Sequence, residues 1–243
     1  MSFYDLDDTS TLPRAEQLVN KDKDGSKQQE QVSAHAPGPV GDAELLARSL
    51  EYPSKFFIAQ GGLNDSLFQD AFSHGASAQR LPNGWEKHDV DIHTRFETRA
   101  KARRQGENGK PANPEFTYIG AFHMTAGELR SFRLDGDDTA RVRVYDAGND
   151  PTDSLHAEVI ADATGLQRQQ RKVLRVRLMN LANQRGLYVS PFLDSEGQKR
   201  AESSQCQLNA PSENLLRHLK QEATQHADSE TSPAIPPTDG QVA

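Results

Sequence analysis

Residues 116–161 constrain the fold more than any other part of the chain. Phe116 to Met124 is rich in aromatic and apolar residues. Leu129 to Leu134 and Ala140 to Tyr145 follow, separated by a spacer that contains Asp135-Gly136-Asp137-Asp138. Apolar runs broken by acidic, glycine-containing turns read as hairpins. In the third run Val142 and Val144 alternate with Arg141 and Arg143, the pattern of a strand with one wet face. His156 to Ile160, after the turn-prone Gly148-Asn149-Asp150-Pro151, reads as a further strand. The expected class is α+β: an antiparallel sheet over about residues 116–161, flanked by helices, with disordered N- and C-terminal tails.

The flanking helices follow from caps and periodicity. Asp42 can cap a short helix through Leu50, stopped by Pro53. Asn64 and Gly75 bracket a second, residues 64–74, with Leu67, Phe68, Ala71 and Phe72 apolar. Residues 165–186 are ambiguous. Leu174-Arg175-Val176-Arg177-Leu178 alternates like a strand, whereas the longer window, bracketed by Thr164 and Gly186, places its leucines on one helical arc. The helix is the favoured reading. A last helix is expected from Ser212 to about Gln225.

The ends look different. The run Asn20 to Gln31 is polar and of low complexity, and Ala34-His35-Ala36-Pro37-Gly38-Pro39 follows it. Such composition does not offset its ordering entropy by burying apolar area. The organisation expected is therefore a tail over 1–41, one domain over 42–227, and a second tail over 228–243. The net charge of −7 is concentrated at the ends: residues 1–40 carry seven acids and four cations, and 211–243 carry five acids and two cations. The middle is near neutral, so overall acidity does not argue against an anionic partner. The longest apolar run, Phe56-Phe57-Ile58-Ala59, is far short of the roughly 18 residues that cross a bilayer. The acidic N-terminus has no apolar core of a secretory signal. One cysteine, Cys206, excludes an internal disulfide and a cysteine metal cluster. A cytoplasmic chain with no membrane partner is expected.

Three groups of residues could carry chemistry. His156-Ala157-Glu158 copies the first half of a zinc-deaminase pattern, but that chemistry needs two further cysteines and the chain has one. What remains is His156 and Glu158 on one face of a strand, near Asp146, Asp150 and Asp153, a candidate acid–base pair or two metal ligands. In His88-Asp89-Val90-Asp91-Ile92-His93, an extended backbone would put Asp89, Asp91 and His93 on one side as half of a divalent-metal site; a helical backbone would scatter them. The third group is basic. Arg95, Arg99, Lys101, Arg103 and Arg104 fall within eleven residues. Residues 165–185 then hold Arg168, Arg171, Lys172, Arg175, Arg177 and Arg185 with no acid. Arginines in this density suit phosphate oxygens.

These features lead to an expectation of a nucleic-acid-associated or other polyanion-binding protein using segments 95–104 and 165–185. One alternative is a small enzyme, metal-dependent or acid–base, in which a divalent metal would be the cofactor. Another is a protein-interaction module that recruits a partner through its tails. No phosphate-binding loop, dinucleotide fingerprint or nucleophile elbow is present.

Overall fold

A computed structural model describes residues 3–7, 9–57, 62–107, 109, 111–148 and 151–230. Ile58, Ala59, Asp150 and the segment 231–243 lie outside the described residues. The strands are β1 (Leu45–Tyr52), β2 (Phe56–Phe57), β3 (Gly62–Leu63), β4 (Ala76–Leu81), β5 (Thr117–Thr125), β6 (Val142–Asp146), β7 (His156–Ala161), β8 (Leu187–Val189) and β9 (Leu208–Asn209). The α-helices are α1 (Arg14–Lys21), α2 (Asp89–Gln105), α3 (Ala126–Arg130), α4 (Arg168–Arg185), α5 (Ser195–Ser203) and α6 (Glu213–Glu230). Seven strands form one sheet in the order β6-β7-β4-β1-β5-β8-β9, and β2 and β3 form a small separate hairpin. Every neighbour in the large sheet is antiparallel except β8 and β9. The α+β class is as expected, but the sheet is mixed and extends well beyond residues 116–161.

The centre of the sheet is where the helix expected over 42–50 fails. Residues 45–52 form β1, flanked by β4 and β5 and covered on both faces. A strand buried on both sides does not alternate apolar with polar, so Leu45, Leu46 and Leu50 mimic a helical arc. Successive side chains still point to opposite faces. Leu46 and Leu50 join a large core with Leu174, Leu178 and Ala182 of α4, Leu67, Phe68 and Ala71 of a 3-10 helix (Asp65–Phe72), and Ile119 and Phe122 of β5. Ala47 joins a second core with Ile92, Phe96 and Ala100 of α2 and Tyr118 and Ala121 of β5. The molecule is thus three layers, with α2 on one face of the sheet and α4 on the other.

Other expectations are met or corrected locally. Asn64 caps the 3-10 helix by accepting the Ser66 N–H at 3.0 Å, as its sequence position suggested. Residues 168–185 are helical, capped by Gln167 and Gln170 rather than Thr164. Residues 129–134 are not a strand, because Thr125 and Glu128 form a capping box that starts α3. Residues 89–93 are not extended: they open α2, where Asp89 and Asp91 favour the positive end of the helix dipole.

The largest correction concerns residues 14–40, which lie within the stretch 1–41 that the composition assigned to a disordered tail. Residues 14–40 pack on the sheet. Leu18 and Val19 of α1 meet Tyr145 and Ile160 on the α2 side of β6 and β7. The segment then passes the outer edge of the sheet, where the Gln28 side chain accepts the Val144 N–H at 2.8 Å. Val40 joins the core on the opposite face. Polar groups anchor this arm: Tyr145 donates to Asp22 at 2.7 Å, and Asp146 accepts the N–H groups of Val32 and Ser33. β6 consequently has no wet face. Arg143, expected in solvent, is buried between Asp22 and Asp162 at 3.7 and 3.1 Å.

Candidate functional site: a polar cleft where the sheet divides

β1 and β4 pair only at Leu45↔Leu81, Leu46↔Arg80 and Ala47↔Gln79. Beyond that point they separate, and a cavity of about 290 Å³ opens between them. It is lined from both faces of the sheet: Ser66, Gln69 and Asp70 belong to the 3-10 helix on one face, and Arg99 belongs to α2 on the other. Ser49, Glu51 and Lys55 on the β1 side and Ser77 on β4 complete the wall.

Arg48 is the wedge. Its side chain is 3% exposed. Nε donates to the Leu67 carbonyl at 2.8 Å and Nη1 to the Ser77 carbonyl at 2.7 Å, while Nη2 meets Asp70 Oδ2 at 3.4 Å. A backbone carbonyl at a divided sheet has lost its ladder donor, and burial makes a replacement obligatory. Arg48 supplies it at Ser77. A guanidinium has five N–H donors, so two remain beyond these three contacts.

The remaining charges are arranged unequally. Lys55 Nζ stands 3.1 Å from Glu51 Oε2, and the Ser49 hydroxyl donates to Glu51 Oε1 at 2.7 Å. Burial alone would raise the Glu51 carboxyl, but Lys55, Ser49 and Arg99 outweigh it and hold it below the usual range. Arg99 is exposed, and its side chain makes no hydrogen bond or ion pair with the other described residues. It also lines a smaller adjoining cavity of about 160 Å³, shared with Ser77, Gln79, Arg95, Asp153 and His156. There Arg95 pairs with Asp153 at 2.5 Å, and Asp153 Oδ2 is 3.7 Å from His156 Nδ1. Burial lowers the His156 pKa; Asp153 opposes this, and Arg95 and Arg99 reinforce it.

The structure brings some of the sequence candidates together and separates others. His156 and Glu158 do share a face of β7, but Glu158 lines neither cavity: Arg14 of α1 donates to it at 2.7 Å. Asp89, Asp91 and His93 lie on a helix, so the condition for a shared metal-binding face is not met. The Asp89 carboxylate accepts from the Ser212 hydroxyl and the Val90 N–H. His93 is buried, and its Nδ1 is 2.9 Å from the Tyr118 hydroxyl oxygen. Among the described residues, no group of three or more His, Cys, Asp or Glu is placed to hold a metal ion.

The basic segments do not form one surface, because α2 and α4 lie on opposite faces of the sheet. On α2, Arg99 lines the cleft and Arg95 the adjoining cavity, Arg104 pairs with Glu97, Arg103 donates to the Pro111 carbonyl, and Lys101 is exposed. On α4, Arg175, Arg177 and Arg185 pair with Asp65, Asp135 and Glu128. Arg171 donates to the carbonyls of Leu166 and Ala163. Arg168 and Lys172 are exposed and without an ion-pair partner among the described residues.

Sequence reasoning missed Arg48, Glu51, Lys55 and Ser77. A signal existed for Arg48. Read as a strand, Leu45–Tyr52 puts it on the same face as Leu46 and Leu50, and an arginine on an apolar face requires a polar partner. No protein-family model, curated protein or solved structure matches this chain. No helix among the described residues is long and apolar enough to cross a membrane.

Proposed function

We propose that the chain binds a small carboxylate- or phosphate-bearing molecule in the cleft between β1 and β4. The observation that carries this reading is the uncommitted Arg99 guanidinium, facing a cavity that also holds Arg48 with two spare donors. Planar guanidinium groups match the paired oxygens of such ligands. The cavity is at the small end of ligand sites, which favours a metabolite over a polymer. The serine hydroxyls around it offer adaptable hydrogen bonds that fix orientation. Calorimetric titration with oxalate tests the reading. Binding that weakens about tenfold in Arg99→Ala is expected, the loss of one charge-assisted contact. Absence of binding, or an unchanged affinity in the variant, overturns it.

A second reading keeps the polyanion expectation but confines it to α4. Its support is the exposed pair Arg168 and Lys172 beside an open hollow of about 610 Å³ shared with Gln169, Arg175 and Asp65. Two phosphate contacts would give a salt slope of about −2 for binding to duplex DNA, and Arg168→Ala with Lys172→Ala would abolish it. A slope unchanged in the double variant removes α4 from the interface.

A further inference from the structure

The cleft contains a primary amine in an unusual setting. The Lys55 and Glu51 side chains are only 13% and 15% exposed, although both carry ionisable heads. Arg48 and Arg99 line the same cavity, so two guanidinium groups share the space with the ammonium. Asp70, from the 3-10 helix, is the other carboxylate of the wall. An amine beside other cations is easier to deprotonate, and a desolvated one more so.

We propose that Lys55 is a nucleophile that condenses with the ketone of a small 2-oxo acid whose carboxylate rests on Arg48 and Arg99. This rests on the anion-binding reading of the cleft. Glu51 is the proton acceptor and donor for the step, with Oε1 held by Ser49 and Oε2 facing Nζ. Glu51 takes a proton from the Lys55 ammonium. The freed nitrogen pair attacks the ketone carbon, the C–N bond forms, and the carbonyl π pair moves to oxygen. A proton passes from nitrogen to that oxygen, giving a carbinolamine. Glu51 then returns its proton to the hydroxyl, which leaves as water while the nitrogen pair forms the C=N bond. The sum is ammonium plus ketone giving protonated imine plus water, with no change of oxidation state. Burial sets the direction of the Lys55 pKa, downward from the lysine range; Arg48 reinforces it, and Glu51 and Asp70 oppose it.

The test uses the full chain with pyruvate as the probe and cyanoborohydride to reduce any imine, followed by peptide mass spectrometry. The expected result is a secondary-amine adduct at Lys55 in several-fold excess over the exposed Lys101, Lys172 and Lys199, because only Lys55 stands desolvated beside two guanidinium groups. Its rate should titrate below the usual lysine range, fall in Glu51→Gln, and fall when oxalate is added. Equal labelling of all lysines, or none at Lys55, overturns the proposal. Oxalate offers carboxylates but no ketone, which separates the two readings. If oxalate binds and no adduct forms, the imine step fails and the anion site stands; if oxalate does not bind, both fail.

Discussion

β1 pairs with β5 from Leu45↔Thr125 to Tyr52↔Thr117, but with β4 only from Leu45 to Ala47. The two sides of one strand therefore solve the same problem differently. Toward β5, ladder bonds interrupted by one irregularity at Leu50/Glu51 satisfy the backbone, and aromatic and aliphatic side chains close both faces. Toward β4 the ladder ends early, and the buried guanidinium of Arg48 bridges to Ser77 in its place. The closed side is shape complementarity. The open side is polar, partly solvated and lined by charges, which makes it the part of the core able to admit a ligand. A divided sheet is thus one way for a fold to place charged groups deep in a domain without leaving backbone groups unpaired.

Arg48→Met should have the largest effect, because it strands two carbonyls and the Asp70 pairing on the open side. A loss of about 4 kcal/mol in urea unfolding is expected. A loss below about 1 kcal/mol would mean that the division of the sheet does not depend on this bridge.

The closed side carries its own pH dependence. Burial lowers the His93 pKa from 6.5 to about 4, and the ring meets Tyr118 of β5 beneath α2. Between those values the unfolded chain binds the proton that the folded chain refuses. The His93 contribution is complete above pH 6.5 and is lost as pH falls toward 4, about 3 kcal/mol in all. His156 and His123, also lowered chiefly by burial, act in the same direction. The difference between the pH profiles of the native chain and His93→Gln isolates one residue. Parallel profiles would place the acid sensitivity elsewhere.

Gly120→Ala probes the closed side by shape alone. A Cβ there would collide with the Tyr188 carbonyl oxygen of β8. A cost of about 2 kcal/mol is expected, with the oxalate affinity of the cleft unchanged. A variant as stable as the native chain would show that β5 and β8 can separate, and the contrast between the two sides would weaken.

How much of this the sequence reveals depends on what kind of burial each segment undergoes. β5 and β7 were legible because a short apolar run between clear turns admits few structures, and α4 was favoured as a helix although its centre also alternates like a strand. β1 was not, because a strand covered on both faces loses its alternation. The arm of residues 14–40 was not, because its stability comes from contacts made at long range, such as Asp22 with Tyr145 and Gln28 with Val144. A polar composition predicts a free segment only when no partner waits elsewhere in the chain. The basic runs illustrate the same point for function. Arg95 and Arg99 are near α4 in character but not in space, and only the layer order of the sheet separates them. Of the sequence candidates, Arg99 alone lines the cleft, with Arg95 and His156 in the adjoining cavity, whereas Arg48 and Lys55, which define the cleft, sit in no conspicuous cluster.

The central claim is that the open side of β1 is a ligand site. Backbone amide shifts of the labelled chain, recorded during titration with oxalate, test it most directly. Saturable shifts should concentrate at Ser49, Glu51, Ser77 and Arg99 and spare Gly120 and Ala121 on the closed side. Shifts confined to Arg168 through Lys172, or none at all, would contradict it.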